Sequence, residues 1–85
     1  MEEKVYFRLS YENMTGTTED YITGCIERAA RTDCVDPNAE LARARTALDH
    51  WYCLALAGRA PDEITDHDRE RMTMMILRAP GAGER

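Results

Sequence analysis

Residues 37–58, PNAELARARTALDHWYCLALAG, decide the fold of this chain because they contain its clearest helical pattern. Asp36 and Pro37 suit the N-cap and the first position of a helix, and Gly58 suits its end. Between them, apolar residues recur at alternating spacings of three and four, as in a helix that packs in a bundle. These residues are Leu41, Ala44, Leu48, Trp51 and Ala55.

The residues upstream predict a first helix that ends near Arg31. Residues 14–18, MTGTT, have the composition of a turn, after which Thr17 or Thr18 can cap a helix with Glu19 and Asp20 in its first turn. Its apolar residues fall on a single stripe, which consists of Tyr21, Ile22, Cys25, Ile26 and Ala29.

The N-terminal residues predict a β-strand, because Val5, Phe7, Leu9 and Tyr11 alternate with polar neighbours. No later segment resembles a second strand, so the backbone of this one would have to pair with another molecule. That molecule is either a second copy in a two-fold dimer or a different protein. The alternative is a short helix with Val5 and Leu9 one turn apart, which would complete a four-helix bundle.

A third helix is predicted to begin with Thr65 as its cap and to end near Arg78. Its early acids are Asp66, Asp68 and Glu70, and its inner residues are Met72, Met75 and Ile76. We therefore predict a mainly α fold, α+β at the margin, in which an N-terminal strand precedes a three-helix bundle. The single domain covers residues 1–79, and the tail, residues 80–85, is expected to be flexible.

The composition limits the classes of function that the chain can have. A chain of 85 residues forms one small domain with little core, which favours oligomerisation. Sixteen acidic against eleven unclustered basic residues argue against direct nucleic-acid binding. The sequence contains neither an apolar run of about eighteen residues nor a signal peptide, so we expect a cytoplasmic protein without membrane contact.

Two surfaces are predicted to bind other proteins. Residues 51–57 are apolar nearly all round the helix, and Tyr52 and Leu56 lie away from the side that carries Leu48 and Trp51. The alternative is that the strand and the first helix cover both sides of the second helix. The predicted interface consists of Val5, Phe7, Leu9, Tyr11, Tyr52 and Leu56.

The sequence also contains potential metal ligands. Cys25, Cys34, His50 and Cys53 offer the donor atoms of a zinc site, but their spacing matches no familiar zinc motif. Reduced, buried thiols are the simpler explanation of the cysteines. Asp66, His67 and Asp68 place carboxylates beside an imidazole, yet acids are common in the first turn of a helix for electrostatic reasons. We predict no catalytic residue and no cofactor.

These observations predict a small, acidic, non-enzymatic protein-protein interaction module. It would act as a regulator or inhibitor by binding an unidentified protein, and it would form a homodimer. One alternative is a metal- or thiol-dependent sensor that uses Cys25, Cys34, His50 and Cys53. A further alternative is a phage-encoded inhibitor whose acidic surface, within residues 62–70, competes for a nucleic-acid channel.

Overall fold

The structure is a computed structural model that describes residues 3–80. Three α-helices make up most of these residues. Helix α1 spans Tyr11–Ala29, α2 spans Pro37–Ala57 and α3 spans Asp62–Leu77. The mainly helical class and the three-helix bundle are thereby confirmed. The predicted flexible tail, residues 80–85, lies outside the described residues except for Pro80.

Helix α2 has the boundaries that its capping residues predict. The carboxylate of Asp36 accepts a hydrogen bond from the backbone N–H of Ala39 at 3.2 Å, and Pro37 occupies the first helical position. Gly58 is the C-cap. The sequence signals at both ends of this helix are therefore confirmed.

The turn that follows α2 contains an arginine in the left-handed region, Arg59, whose φ is 61°. The N–H of Ala60 donates to the carbonyl of Ala55 at 3.0 Å, the long hydrogen bond that closes a Schellman motif. A residue with a Cβ is disfavoured in this conformation by roughly 1 kcal/mol, whereas glycine is not. The end of α2 is therefore mildly strained at Arg59.

Helix α1 begins at Tyr11 rather than near Thr17. Ser10 is its N-cap, and the Ser10 hydroxyl accepts a hydrogen bond from the N–H of Asn13 at 3.0 Å. The turn predicted over residues 14–18 is wrong, because these residues are helical. The buried side of the helix continues through them, so packing outweighs their turn-like composition.

Residues 3–10 have no regular secondary structure. The predicted strand from Val5 to Tyr11 is wrong, and so is the alternative of a fourth helix there, since Tyr11 already belongs to α1. A strand needs neighbouring backbone groups to complete its hydrogen bonds, and residues 3–80 contain no strand beside which it could lie.

Helix α3 begins at Asp62, with Pro61 at the N-cap position, so the predicted cap at Thr65 is wrong. Thr65 lies inside the helix, and its side chain is buried. Asp62 and Glu63 occupy the first turn, where the helix dipole favours negative charge. The predicted end near Arg78 is confirmed, because Arg78 is the C-cap.

The core lies where the three helices meet, and α2 contributes more buried apolar residues than either of the other helices. All five residues of the predicted α2 stripe are buried, as are Met72 and Ile76 of α3. The main cluster consists of Ile22, Cys25, Ala44, Leu48, Trp51, Met72 and Ile76, and a smaller one consists of Ala29, Leu41 and Ala79.

The molecule is more open than a compact domain of its length. Its radius of gyration is 15.0 Å and its principal extents are 50 × 34 × 17 Å, whereas a compact domain of this size has a radius of about 12 Å. Helix α2 packs along both other helices, while α1 and α3 meet less extensively. One side of the α1 and α2 pair therefore faces solvent.

Candidate protein-interaction surface

The N-terminal segment, residues 3–10, is exposed at every position. Val5, Tyr6 and Phe7 are 87%, 82% and 80% exposed, and Leu9 is 52% exposed. Single exposed apolar residues are ordinary on protein surfaces, whereas a run of large ones is a candidate site of interaction. The structure thus places Val5, Phe7 and Leu9, three of the predicted interface residues, in solvent on one short segment.

Tyr11, the fourth predicted interface residue near the N-terminus, is half-buried in the bundle. Its hydroxyl donates a hydrogen bond to the carboxylate of Asp68 on α3 at 2.6 Å. Burial, followed by the hydrogen bond to Asp68, raises the pKa of Tyr11 to about 12. Tyr11 therefore fastens the start of α1 to α3 and fixes the point at which the N-terminal segment leaves the bundle.

Asp68 extends this contact into a small charged network. Arg71 lies 3.3 Å from the Asp68 carboxylate and 2.7 Å from that of Glu19 on α1. Burial acts to raise the pKa of Asp68, but hydrogen bonds from Tyr11 and Arg71 outweigh it and hold the pKa below its ordinary value. Asp68 is therefore half-buried and engaged in holding α1 to α3, unlike its exposed neighbours Asp66 and Glu70.

A groove of about 630 Å³ runs between α1 and α2, and we call it the α1/α2 groove. It is lined by Thr17, Thr18, Tyr21, Ala42, Arg43, Thr46, Ala47, His50, Trp51 and Leu54, none of which belongs to α3. Tyr21 on α1 and Leu54 on α2 line it and are 47% and 43% exposed. The groove is thus a mainly apolar surface on the solvent-facing side of these two helices.

The charged side chains near this groove are partly neutralised. Arg43 lies 3.3 Å from the carboxylate of Glu40, which also accepts a hydrogen bond from Arg28 at 3.1 Å. That hydrogen bond is the main reason why the pKa of Arg28 is raised. Asp20 is exposed on α1 beside Tyr21, outside this cluster.

The second predicted surface, formed by Tyr52 and Leu56, is divided in the structure. Leu56 is exposed, but Tyr52 is half-buried against the core. The prediction that Tyr52 lies away from Leu48 is wrong, because residues four apart lie on the same side of a helix. The guanidinium of Arg69 on α3 lies 4.1 Å from the centre of the Tyr52 ring, a cation-π contact within the chain. That these two residues contact another protein stays a prediction.

The predicted metal ligands do not form a cluster. Cys25 is buried in the core, Cys34 lies between α1 and α2 and is half-buried, and both His50 and Cys53 are exposed on α2. Within residues 3–80 no three histidine, cysteine or acidic side chains are arranged to hold a metal ion. The structure therefore does not bring together the four residues on which the metal-sensor hypothesis depends.

Sequence reasoning missed the polar contacts inside the bundle. Thr15 on α1 accepts a hydrogen bond from the Trp51 indole in the core, and Tyr11 lies one turn before it. The signal was the spacing: Tyr11, Thr15 and Ile22 follow the same helical side as Cys25. Continued upstream, this stripe reaches Tyr11 and indicates that the helix extends before Thr17.

Comparison of the chain with protein-family models, with curated proteins and with solved structures finds no significant match. Within the described residues, no helix has the length and apolar character that a membrane crossing requires.

Proposed function

We propose that this chain is a small non-enzymatic protein-protein interaction module. It regulates or inhibits a partner protein by binding to it, and it also associates with a second copy of itself. The N-terminal segment, residues 3–10, is the binding element. The observation that supports this is the consecutive exposure of Val5, Tyr6 and Phe7 in front of a folded bundle.

The free energy for binding comes from burial of the apolar side chains of the segment. An aromatic side chain buries roughly 150–250 Å² at an interface, and each Å² of apolar surface contributes about 25 cal/mol. Ordering a free segment costs about 1–2 kcal/mol per residue. Because of this cost, a useful partner must bury several apolar side chains of the segment together.

The charges of the segment narrow the kind of partner surface. Lys4 and Arg8 flank the aromatic pair, and Glu3 is the acidic residue of the segment. An apolar groove with carboxylates at its edge would complement this pattern and exclude basic surfaces. The three cysteines are free thiols, which suits a reducing compartment such as the cytoplasm.

The Tyr52 and Leu56 surface is the weaker of the two candidates for a contact. Arg69 already covers the ring of Tyr52, and a partner would have to displace the guanidinium to reach it. The N-terminal segment requires no such displacement, because its side chains already lie in solvent.

Photo-crosslinking tests the proposal. A benzophenone amino acid replaces Phe7 in the full chain, which is irradiated alone at high concentration and in an extract of its native cells. We expect covalent adducts that excess unlabelled wild-type chain suppresses and that Phe7→Asp chain does not. Mass spectrometry of the adducts then identifies each bound polypeptide.

Val35 supplies the matched control, because it is an apolar residue that is 98% exposed in a loop away from the segment. The same crosslinker at position 35 is expected to give no adduct that wild-type chain suppresses. If position 7 behaves like position 35 in both the purified protein and the extract, the segment is not a binding element and the proposal fails.

A further inference from the structure

The α1/α2 groove has the length of the N-terminal segment. Along α2 it extends from Ala42 to Leu54, which is about 18 Å at the helical rise of 1.5 Å per residue. Residues 4–9 in an extended conformation span about 17 Å. In that conformation Val5, Phe7 and Leu9 point to one side, so three apolar side chains can enter an apolar groove together.

The charges of the chain are divided in a way that favours contact between copies. Residues 3–10 carry Lys4 and Arg8 against Glu3, and residues 11–80 carry thirteen acids against eight arginines. The segment is therefore net positive and the bundle net negative. Arg43, the arginine that lines the groove, lies 3.3 Å from the carboxylate of Glu40, and Asp20 directly precedes the groove-lining Tyr21 on α1.

The segment leaves the bundle on a different side from its own groove. Leu9 borders a depression formed by the end of α2 and the following loop, next to Ala55 and Pro61. Tyr11 ties the adjoining helical turn to Asp68 of α3, and α3 contributes nothing to the α1/α2 groove. To enter that groove in its own chain, the segment would have to reverse direction at Ser10. A second copy needs no such reversal.

The area involved is that of a stable dimer. In a two-fold arrangement each copy donates Val5, Phe7 and Leu9 to the groove of the other, and the two Phe7 side chains alone bury roughly 300–500 Å². With the valine and leucine side chains and the groove surfaces that all of them cover, the total approaches the roughly 1,200–2,000 Å² that is typical of a specific protein-protein interface.

We propose that two copies of this chain associate by reciprocal exchange, in which the N-terminal segment of each lies in the α1/α2 groove of the other. This rests on the proposed function and names the self-association surface within it. The exchange fills the open side of the α1 and α2 pair in both copies and buries the apolar side chains of both segments.

Two complementary variants test the exchange. Phe7→Asp disables the segment and Leu54→Asp disables the groove, so we expect each variant alone to be a folded monomer by circular dichroism and light scattering. In an equimolar mixture, one intact segment can still enter one intact groove. We expect the mixture to form heterodimers, with an affinity at least tenfold weaker than that of the wild-type homodimer.

Leu77→Asp is the matched control, since Leu77 is an exposed leucine on α3, which does not line the groove, and it belongs to neither candidate surface. This variant should dimerise like wild type. If Leu54→Asp and Leu77→Asp weaken dimerisation equally, or if mixing restores nothing, the groove assignment is overturned.

The same measurements separate this inference from the proposed function. A wild-type chain that stays monomeric at millimolar concentration overturns the exchange, and so does a crosslink from position 7 to the groove of its own chain. In either case an adduct in the cell extract that excess wild-type chain suppresses would still support an interaction module. Loss of that adduct as well would overturn both the exchange and the proposed function.

Discussion

The indole Nε1 of Trp51 on α2 donates a 2.9 Å hydrogen bond to Oγ1 of Thr15 on α1, inside the core. This bond gives the only tryptophan of the chain a fixed partner across the helix pair that forms the groove. A buried N–H without such a partner would carry a large desolvation penalty. The contact therefore fixes how α1 and α2 are aligned.

Thr15→Val is expected to lower the free energy of unfolding by about 1–3 kcal/mol, because it leaves the Trp51 N–H buried and unpaired. Thr65→Val is the matched control, since the Thr65 hydroxyl is buried without a hydrogen-bond partner among the described residues. That variant should change stability by less than about 1 kcal/mol. Urea unfolding followed by Trp51 fluorescence measures both, and equal losses would contradict the role of the hydrogen bond.

Ser10→Ala should destabilise α1 by about 1 kcal/mol, because it removes the hydroxyl that accepts the Asn13 N–H. Thr17→Ala should change stability by no more than about 0.5 kcal/mol, since Thr17 is an exposed position within the helix and alanine has the higher helix propensity. Thermal unfolding of the two variants side by side locates the true cap. A larger loss for Thr17→Ala would move the helix start back to the sequence-based position.

Arg59→Gly is expected to stabilise the protein by about 0.5–1 kcal/mol, because glycine adopts the left-handed conformation of this position without a steric penalty. Gly58→Ala is the comparison, since Gly58 has a φ of -84° and an added Cβ would lie 3.4 Å from the carbonyl oxygen of Leu54. That change should cost little or nothing. Denaturant midpoints at constant m-value report the difference, and a loss of stability in Arg59→Gly would be inconsistent with the observed turn.

The contact between Tyr11 and Asp68 makes stability depend on pH in the alkaline range. The pKa of Tyr11 is about 12 in the folded chain against an ordinary 10.0. Its contribution is therefore complete below pH 10 and is lost as pH rises through 12, because the unfolded chain releases the proton first. Denaturant midpoints measured across pH 9 to 12 should fall more steeply for wild type than for Tyr11→Phe. Parallel curves would show that Tyr11 makes no such contribution.

The three cysteines should differ in their reaction with a maleimide. Cys53 is exposed and Cys34 half-buried, so both should be labelled in the native protein, while buried Cys25 should react only after unfolding. Mass spectrometry of peptides from a labelling time course distinguishes them. We expect added zinc to leave the pattern unchanged; joint protection of Cys34 and Cys53 by zinc would restore the metal-sensor hypothesis.

Helix α2 could be predicted from sequence because three independent signals agree on it. Asp36 and Pro37 mark its start, Gly58 marks its end, and the apolar stripe between them is regular. Where capping, propensity and periodicity all favour the same helix, tertiary packing does not conflict with the local preference of the sequence.

The start of α1 could not be predicted in the same way, because local composition and packing disagree there. Residues 14–18 contain glycine and three threonines, which locally favour a turn, yet Thr15 enters the core and bonds to Trp51. Val5, Phe7 and Leu9 recur at every second position, as apolar residues do in a half-buried strand. An exposed apolar segment can have the same spacing, so the spacing alone does not distinguish the two. Leu9 borders the loop after α2 only because the whole bundle is folded, so no local sequence pattern predicts this position.

The N-terminal segment continues directly into α1, so the first turn of α1 responds when the segment is bound. Ser10 receives the N–H groups of both Asn13 and Met14, through its hydroxyl at 3.0 Å and its carbonyl at 2.9 Å. Any ligand that holds the segment also suppresses fraying of this first turn, by a factor that grows with ligand concentration over its dissociation constant. Hydrogen exchange at these two amides would therefore register occupancy of the segment before the identity of the ligand is known.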